Sequence, residues 1–307
     1  MNNYPNYIIL CFKIFLLSSI LYSMKAIILS ASAWMILPVM DAFAKFLSSS
    51  LDVLQITWGR FFFTVVFTFL LMIIFYRKSL IWTNKPLLQI IRGLFLVFST
   101  YLFFYSISVI SLPKALTLAF VAPLFVTALS PFFLKEKVGI RRWTAVFIGF
   151  IGTLIVIRPG FLEYNLATFA ALGTGFCYGF YLIITRKLST SDNPLLTLLF
   201  TGVVGVIILS FFMPSVWINP TLNQWYLMAI IGLIASIAHF FIILSLKYAD
   251  ASKLAPLGYT EIITNVILSY YFFNELPDNW TYLGLFIIVL SGIYVSRREY
   301  SLRKINL

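Results

Sequence analysis

Six ionisable side chains lie inside long apolar segments of this chain, where charged residues are otherwise rare. They are Asp41, Lys45, Arg60, Arg92, His239 and Glu261. A charge within an apolar segment is costly, so it usually faces a partner, the protein interior or a water-filled path. Carboxylates and an imidazole in such a place could carry a proton, bind a cationic ligand or join helices. The chain is therefore predicted to hold a polar site inside an apolar body.

The composition indicates that this body is embedded in a membrane. Of 307 residues, 61% are hydrophobic and only 10% are charged, whereas a soluble protein carries about 25% charged residues. We count ten apolar segments of about the length that spans a bilayer. The prediction is an all-α integral membrane protein with ten transmembrane helices. The segments are 26–47, 53–75, 87–109, 114–134, 143–157, 166–185, 194–213, 224–246, 254–273 and 280–296.

The basic residues give this arrangement an orientation. Alternate connections between the segments are rich in Lys and Arg, while the intervening ones are nearly neutral. Basic connections mark the cytoplasmic face, so both ends of the ten-helix core and the basic tail 298–307 are expected in the cytoplasm. The net charge of +12 does not indicate a nucleic-acid partner, because no basic patch interleaved with aromatic residues lies outside the apolar segments.

Residues 1–25 form a separate hydrophobic segment. Residues 7–23 are apolar apart from Lys13, which is compatible with an extra transmembrane helix, an interfacial helix or a signal-like segment. Met24 offers an alternative start of translation.

An internal repeat divides the core. Residues 87–158 align without a gap with residues 226–297 at an offset of 139, and this register superimposes the segment ends. The two repeats, 26–159 and 166–297, each hold five segments, an odd number, so the second is expected to be inverted in the membrane. Inverted repeats build many secondary transporters, with the substrate site between the halves near the midplane.

Short motifs recur in a fixed order along the chain. They include DAFAK (41–45), GRFFF (59–63), IIRGLF (90–95), AFVAPLF (119–125), PFFLKE (131–136), RRWTAVFIGFIGTLIVIRPG (141–160), ASKLAPLGYTEII (251–263) and FFNE (272–275). Together they resemble the drug/metabolite transporter superfamily, in particular its ten-helix members with two tandem EamA domains. The likeness covers about residues 26–297 and extends to the S-adenosylmethionine importers of that family. Helix 1 of the family often carries Asn where this chain has Asp41.

The resemblance implies an EamA-like fold and a secondary active transporter of the bacterial inner membrane. Such a protein moves a small polar or amphipathic metabolite, for example an amino acid, S-adenosylmethionine or a related compound, by alternating access. The expected partners are this small molecule, a coupling proton and membrane lipids, with no indication of an oligomeric state.

Asp41, Lys45 and Arg60 are expected to form an ion cluster near the outer face. The helical rise places Asp41 and Arg60 roughly 10 Å below that surface, and Lys45 follows Asp41 by one turn in a favourable order. The cluster would either lock the first two helices together, gate the outer mouth or bind a charged substrate. Trp34 and Pro38 share the helix face of Asp41, so this face should line a cavity, with Pro38 interrupting or kinking the helix.

His239 and Glu261 are expected to pair at the opposite side, roughly 10 Å from the cytoplasmic surface. In the repeat register neither has a counterpart of its own type in the first half, which favours a role beyond structure. The pair would carry a coupling proton, hold a cationic substrate or form a hydrogen bond between helices. Asn265 lies one turn from Glu261, and Tyr101 and Tyr178 are further candidates for the cavity wall.

Enzymatic chemistry has little support in the sequence. The chain has one His and no metal-binding or glycine-rich nucleotide motif. We therefore predict no catalytic residues, no metal and no cofactor, and a protein that is not an enzyme. A channel or a lipid flippase-like protein remains the alternative to a carrier.

Overall fold

The computed structural model describes the backbone of residues 4–75, 83–135, 139–157 and 165–305. It describes the side chains of these residues except 4–23, 141–142, 252–253, 255–256, 292–293 and 295–305. The N-terminal segment 1–25 and the basic tail 298–307 are thus described mainly as backbone: residues 4–25 belong to the helix Tyr4–Leu47, and residues 298–305 belong to the helix Asn279–Ile305.

All regular structure in these ranges is helical. The helices are α1 (Tyr4–Leu47), α2 (Val53–Phe75), α3 (Pro86–Val109), α4 (Leu112–Ala119), α5 (Val121–Phe133), α6 (Ile140–Ile157), α7 (Leu166–Leu188), α8 (Pro194–Ser210), α9 (Met213–Val216), α10 (Leu222–Tyr248), α11 (Ala251–Leu254), a 3-10 helix (Ala255–Thr260), α12 (Glu261–Phe273) and α13 (Asn279–Ile305). The prediction of an all-helical architecture is confirmed.

The helices differ in their capacity to span a membrane. Within the described ranges, six stretches are long and apolar enough to cross a bilayer: Met24–Leu47, Val53–Ile74, Pro86–Val109, Leu112–Phe133, Leu166–Leu188 and Leu222–Tyr248. Three shorter apolar helices cover Trp143–Ile157, Pro194–Ser210 and Asn279–Ser291. Each predicted segment overlaps helical structure, but the count of ten spans stays a prediction.

Two of the predicted segments are interrupted. The segment 114–134 is divided into α4 and α5 at Phe120, and the segment 254–273 contains the 3-10 helix before α12. A proline follows each change, Pro123 and Pro256, and proline removes a backbone donor that an α-helix needs. By contrast, α1 continues through Pro38, so the interruption considered there lies in other helices.

The interruptions occupy equivalent places in the repeat. Leu112 begins α4 and Ala251 begins α11, which are 139 residues apart. Among the described residues, the non-glycine positions with positive φ are Lys135 (56°) and Asn274 (53°), which follow α5 and α12 at the same offset. Left-handed residues commonly terminate helices. The backbone thus follows the register that the sequence indicates, down to the way in which these two helices end.

The interrupted helices pack against uninterrupted neighbours, since α4 and α5 contact α7 and α12 contacts α1. Helix α1 contacts α10 and α12, α3 contacts α7 and α8, and α6 contacts α13. Glycines allow the close approach of α6 and α13, because a Cβ on Gly284 would lie 2.4 Å from a Val156 methyl and 2.6 Å from the Gly152 carbonyl oxygen. Small residues permit such contacts between helices in membranes.

Candidate functional site

A cavity lies where the interrupted helices meet the rest of the bundle. About 640 Å³ of this space is free of protein atoms, part of it open to the surroundings. Its wall is drawn from α1, α2, α3, α4, α5, α7, α10, the 3-10 helix and α12. The lining residues are Trp34, Leu37, Met40, Asp41, Arg60, Leu96, Ser99, Thr100, Phe103, Phe104, Leu116, Ala119, Phe120, Ala122, Pro123, Thr174, Tyr178, His239, Gly258 and Glu261.

Four ionisable residues of the two predicted pairs line this one cavity. Asp41, Arg60, His239 and Glu261 are all buried, with at most 5% of their surface exposed. The sequence predicts Asp41 and Arg60 near one membrane face and His239 and Glu261 near the other. In the structure the two predicted pairs are not separated in this way. Depth counted from segment ends ignores the tilt of a helix and the length of an arginine side chain.

The partners inside the cavity also differ from the prediction. Arg60 Nη2 lies 2.7 Å from His239 Nε2, while no ion pair or hydrogen bond joins His239 to Glu261 within the described ranges. An arginine offers only donors, so His239 accepts at Nε2 and carries its proton on Nδ1. The Nδ1 atom lies 3.1 Å from the Tyr181 hydroxyl, to which it donates. Arg60, His239 and Tyr181 thus form a chain across three helices.

The expected ion cluster of Asp41, Lys45 and Arg60 does not form among the described residues, where Arg60 contacts His239 and Lys45 pairs with Glu275. The Lys45 Nζ lies 2.8 Å from Glu275 Oε1 and donates to the Ile110 carbonyl oxygen at 3.1 Å. Glu275 also accepts from the Leu112 backbone nitrogen at 3.0 Å. These acceptors lie at the end of the bundle and remain partly exposed, so Lys45 reaches them with less loss of hydration than a contact with buried Asp41 requires.

A fully buried hydrogen-bond network around Arg92 lies next to the Arg60–His239–Tyr181 chain. Arg92 is 0% exposed and donates to the Thr197 carbonyl oxygen and the Thr201 hydroxyl, and its Cζ lies 5.2 Å from the Tyr181 ring centroid. It joins α3 to α8 and does not extend toward the surface as an anchoring side chain would. Because it lies against Tyr181, it also holds the chain that ends at Arg60.

Aromatic rings form much of the remaining wall. Trp34 and Tyr178 lie edge to face, with ring centroids 5.5 Å apart. Phe120, at the break between α4 and α5, meets Tyr259 of the 3-10 helix at 5.3 Å. Phe120 and Tyr259 are 139 residues apart in sequence, so equivalent positions of the two repeats touch each other. Such rings offer a surface for a flat group or a cation.

Two predicted candidates lie outside the cavity wall. Tyr101 stacks near Tyr105, with ring centroids 6.5 Å apart. Asn265 is fully buried one turn beyond Glu261 on α12, where neither atom of its amide group has a hydrogen-bond partner in the structure. The hydroxyl of Ser269, one turn further, is unpartnered as well.

Several lining residues were not among the sequence candidates. Ser99, Thr100, Phe103 and Phe104 come from α3, and Thr174 comes from α7. A signal for Thr100 was present, because it occupies the place of His239 in the repeat register. The others share the period of a buried helix face and could not be distinguished from packing residues.

Each end of the bundle is joined by an ion pair. Lys45 and Glu275 connect α1 to the end of α12, and Arg186 Nη2 lies 2.8 Å from Asp250 Oδ1, between α7 and the start of α11. Arg186 also donates to the Leu246 carbonyl oxygen at 2.6 Å. A smaller cavity near this second pair shares only Trp34 with the main one, so the indole separates the two spaces.

Comparison with known proteins identifies the family. A family model described as the EamA-like transporter family matches residues 21–158 and again residues 165–297. The chain belongs to the EamA-like transporter family. The resemblance seen in its motifs is confirmed, and the chain is an integral membrane protein.

Several relatives in this family have named roles. The S-adenosylmethionine uptake transporter of Rickettsia bellii is 27% identical over 84% of this chain and 89% of its own length. The riboflavin transporter of Vibrio cholerae is 32% identical over 61% of this chain and 63% of its own length. The pseudopaline exporter CntI of Pseudomonas aeruginosa is 24% identical over 90% of this chain and 97% of its own length.

A solved crystal structure shares the fold. It superimposes with a TM-score of 0.66 at 18% identity and covers 88% of this chain and 96% of its own. The named relatives are all transporters of small molecules, which supports the same general role for this EamA-like chain and fits the prediction that it is not an enzyme.

Proposed function

We propose that this EamA-like protein is a secondary carrier that moves a small polar or amphipathic metabolite across the bacterial inner membrane by alternating access. The observation that carries the proposal is the cavity, in which buried ionisable groups and aromatic rings from helices of both repeats face one space. A packed structural core has no use for such a space. A carrier requires one near its centre.

The architecture proposed for this activity is ten transmembrane helices in two inverted halves, 26–159 and 166–297, with both core ends in the cytoplasm. The matched breaks, the matched left-handed residues Lys135 and Asn274, and the contact between Phe120 and Tyr259 support it. Two equivalent residues touch only if they lie close to the axis that relates the halves. Under this proposal, the cavity beside them lies in the region where inverted-repeat transporters bind substrate.

Alternating access requires closures at both ends of the bundle that open in turn. Lys45–Glu275 and Arg186–Asp250 occupy the two ends: the first links α1 to the end of α12, and the second links α7 to the connection between α10 and α11. Lys45 and Arg186 both lie in the last turn of a helix, α1 and α7, that is the first helix of its half. We assign each pair to one closure, with Trp34 as a second barrier at the Arg186 end.

S-adenosylmethionine is the leading substrate. Relatives that match most of this chain are named for its uptake, and the aromatic wall and two carboxylates of the cavity suit a flat cationic molecule. Glu261 is the residue proposed to exchange a coupling proton. His239 is less suited, because the donor from Arg60 occupies its free nitrogen.

Transport by purified protein in proteoliposomes tests the proposal. The assay measures uptake and counterflow of S-adenosylmethionine, riboflavin and amino acids, with and without a pH gradient. A carrier gives saturable uptake and accelerated exchange when the same substrate is loaded inside. Flux that neither saturates nor exchanges would favour a channel, and movement of labelled lipid without solute flux would favour a flippase.

A further inference from the structure

Three charged groups face the cavity without pairing with one another. Within the described ranges, no nitrogen of Arg60 lies within 4.0 Å of a carboxylate oxygen of Asp41 or Glu261. Neither carboxylate accepts a hydrogen bond there. Buried groups of opposite charge that do not pair with each other keep their full cost of desolvation. A ligand that pairs with each group separately therefore gains more binding free energy than it would in a site whose charges already neutralise one another.

The Arg60 guanidinium is fixed by its contacts but does not use all of its hydrogen-bond donors. It is 2% exposed, its Nη2 lies 2.7 Å from His239, and its Cζ lies 4.4 Å from the Phe61 ring centroid. Its Nε and Nη1 atoms are buried and have no hydrogen-bond partner among the described residues. Unmet donors on a buried guanidinium are costly, and the group that satisfies them best is a planar carboxylate.

The two carboxylates approach the cavity from other helices. Asp41 comes from α1 and Glu261 from the start of α12, while Arg60 comes from α2. When both carboxyl groups are ionised, they and the guanidinium carry one net negative charge. Its complement is a ligand with one carboxylate and two cationic centres.

We infer that Arg60 binds the carboxylate of the transported molecule and that Asp41 and Glu261 bind its two cationic centres. The substrate class is an amino acid that carries a second cation on its side chain. The inference rests on the proposed carrier function and assigns its specificity. S-adenosylmethionine fits this class through its carboxylate, its ammonium and its sulfonium, and its adenine ring can lie against Trp34 and Tyr178.

The test is a double-mutant-type cycle that measures binding affinity after a charge is removed from the protein, from the ligand or from both. The full chain, purified in lipid nanodiscs, is titrated with S-adenosylmethionine and with its decarboxylated analogue. In the wild type, loss of the ligand carboxylate should weaken binding by about 30-fold or more. In Arg60→Gln the affinities for the two ligands should agree within about threefold, because the guanidinium that recognises the ligand carboxylate is absent.

The second arm removes the sulfonium. S-adenosylhomocysteine lacks that charge, so the wild type should prefer S-adenosylmethionine strongly. This preference should fall at least about tenfold in Asp41→Asn or in Glu261→Gln. Lys187→Gln removes one exposed positive charge outside the cavity and should leave both ligand ratios unchanged.

Misfolding and failure of the proposed carrier function are distinguishable from failure of this inference. Arg60→Lys keeps the charge but not the fork of donors, so a folded Arg60→Lys protein with an intermediate ratio supports the assignment. Transport with undiminished carboxylate discrimination in Arg60→Gln overturns the role of Arg60 alone. A wild-type chain that transports other metabolites but binds none of S-adenosylmethionine, lysine and arginine overturns the substrate class, and a chain that transports nothing overturns the carrier function itself.

Discussion

Glu261 is the first residue of α12, and its buried side chain lines the cavity without a hydrogen-bond partner in the described structure. A carboxylate in that position can bind either a proton or a cation of the substrate. The proposed coupling depends on this exchange. Glutamine has the same shape but cannot exchange a proton.

Replacement of Glu261 with Gln is expected to abolish accumulation driven by a pH gradient. Counterflow, which needs no proton, should continue with a weakened apparent affinity. The measurement is uptake into proteoliposomes with and without the gradient. Thr100→Ser, a mild change in the same cavity wall, is the control. Normal gradient-driven accumulation by Glu261→Gln would remove Glu261 from the coupling mechanism.

The side-chain amide of Asn265 is fully buried and has no hydrogen-bond partner among the described residues. Such a group costs roughly 1 to 3 kcal/mol. Asn265→Leu has a similar volume and no unmet donor, so its thermal stability in detergent should equal or exceed that of the wild type. Asn265→Ala leaves a void in place of the amide and should be less stable than Asn265→Leu. A large loss of stability in Asn265→Leu would mean that the amide is hydrogen-bonded after all.

The residues of the site were easier to predict than their partners. Asp41, Arg60, His239 and Glu261 could be chosen from the sequence because charge inside an apolar segment is rare and costly. Their pairing could not, since it depends on the rotation and tilt of each helix. Lys45 shows this most clearly, because its partner Glu275 is 230 residues away along the chain.

At the scale of elements, the break between α4 and α5 depends on a glycine of α7. A Cβ on Gly175 would lie 2.6 Å from the Ala119 carbonyl oxygen and 2.4 Å from a Val121 methyl. The backbone at the break cannot move aside as a flexible side chain could. Gly175 therefore allows α7 to support the place where the two helix ends meet beside the cavity.

Gly175→Ala is expected to lower the free energy of unfolding by about 1 to 3 kcal/mol and to reduce substrate binding. Gly173→Ala is a matched control on the same helix, where the new methyl would meet only the end of the Leu102 side chain at 3.1 Å. The comparison is thermal unfolding of both variants in the same detergent. Equal stability of the two variants would contradict the role given to Gly175.

The breaks themselves could have been predicted better than they were. Pro123 and Pro256 lie inside apolar segments, as Pro38 does, and all three were visible in the sequence. Only the structure distinguishes them, since a helix tolerates proline where neighbouring groups satisfy the freed carbonyl. Pro123 and Pro256 each follow a break, but they are 133 residues apart, so the repeat offset of 139 does not align them and gave no signal for them.

At the scale of the whole molecule, the proposed carrier has a closure at each end. The pair Lys45–Glu275 should hold one end shut, because it ties α1 to α12 and to the connection between α3 and α4. Its removal should raise the population of the state open at that end by about fivefold, the effect of about 1 kcal/mol. The repeat made this arrangement predictable in outline, but the residues that form the pair were not.

Accessibility of a cysteine in the cavity measures this population. Thr100→Cys is introduced after Cys11 and Cys177 are replaced with Ser, and a membrane-impermeant thiol reagent is added to one side of the membrane. Lys45→Gln should speed the reaction from the side where α1 ends. The exchanged pair Lys45→Glu with Glu275→Lys should return the rate toward the starting value, since it restores the attraction.

The Arg186–Asp250 pair at the other end gives the opposite prediction. Arg186→Gln should speed the reaction of the same cysteine from the side where α7 ends and slow it from the other side, because a carrier that favours one open state does so at the expense of the other. A local loosening, by comparison, would speed the reaction from one side and leave the other unchanged. If both variants change the reaction rate on one side only, the pairs merely fasten helix ends. If each variant raises the rate on one side and lowers it on the other, the two ends of the molecule share one conformational equilibrium.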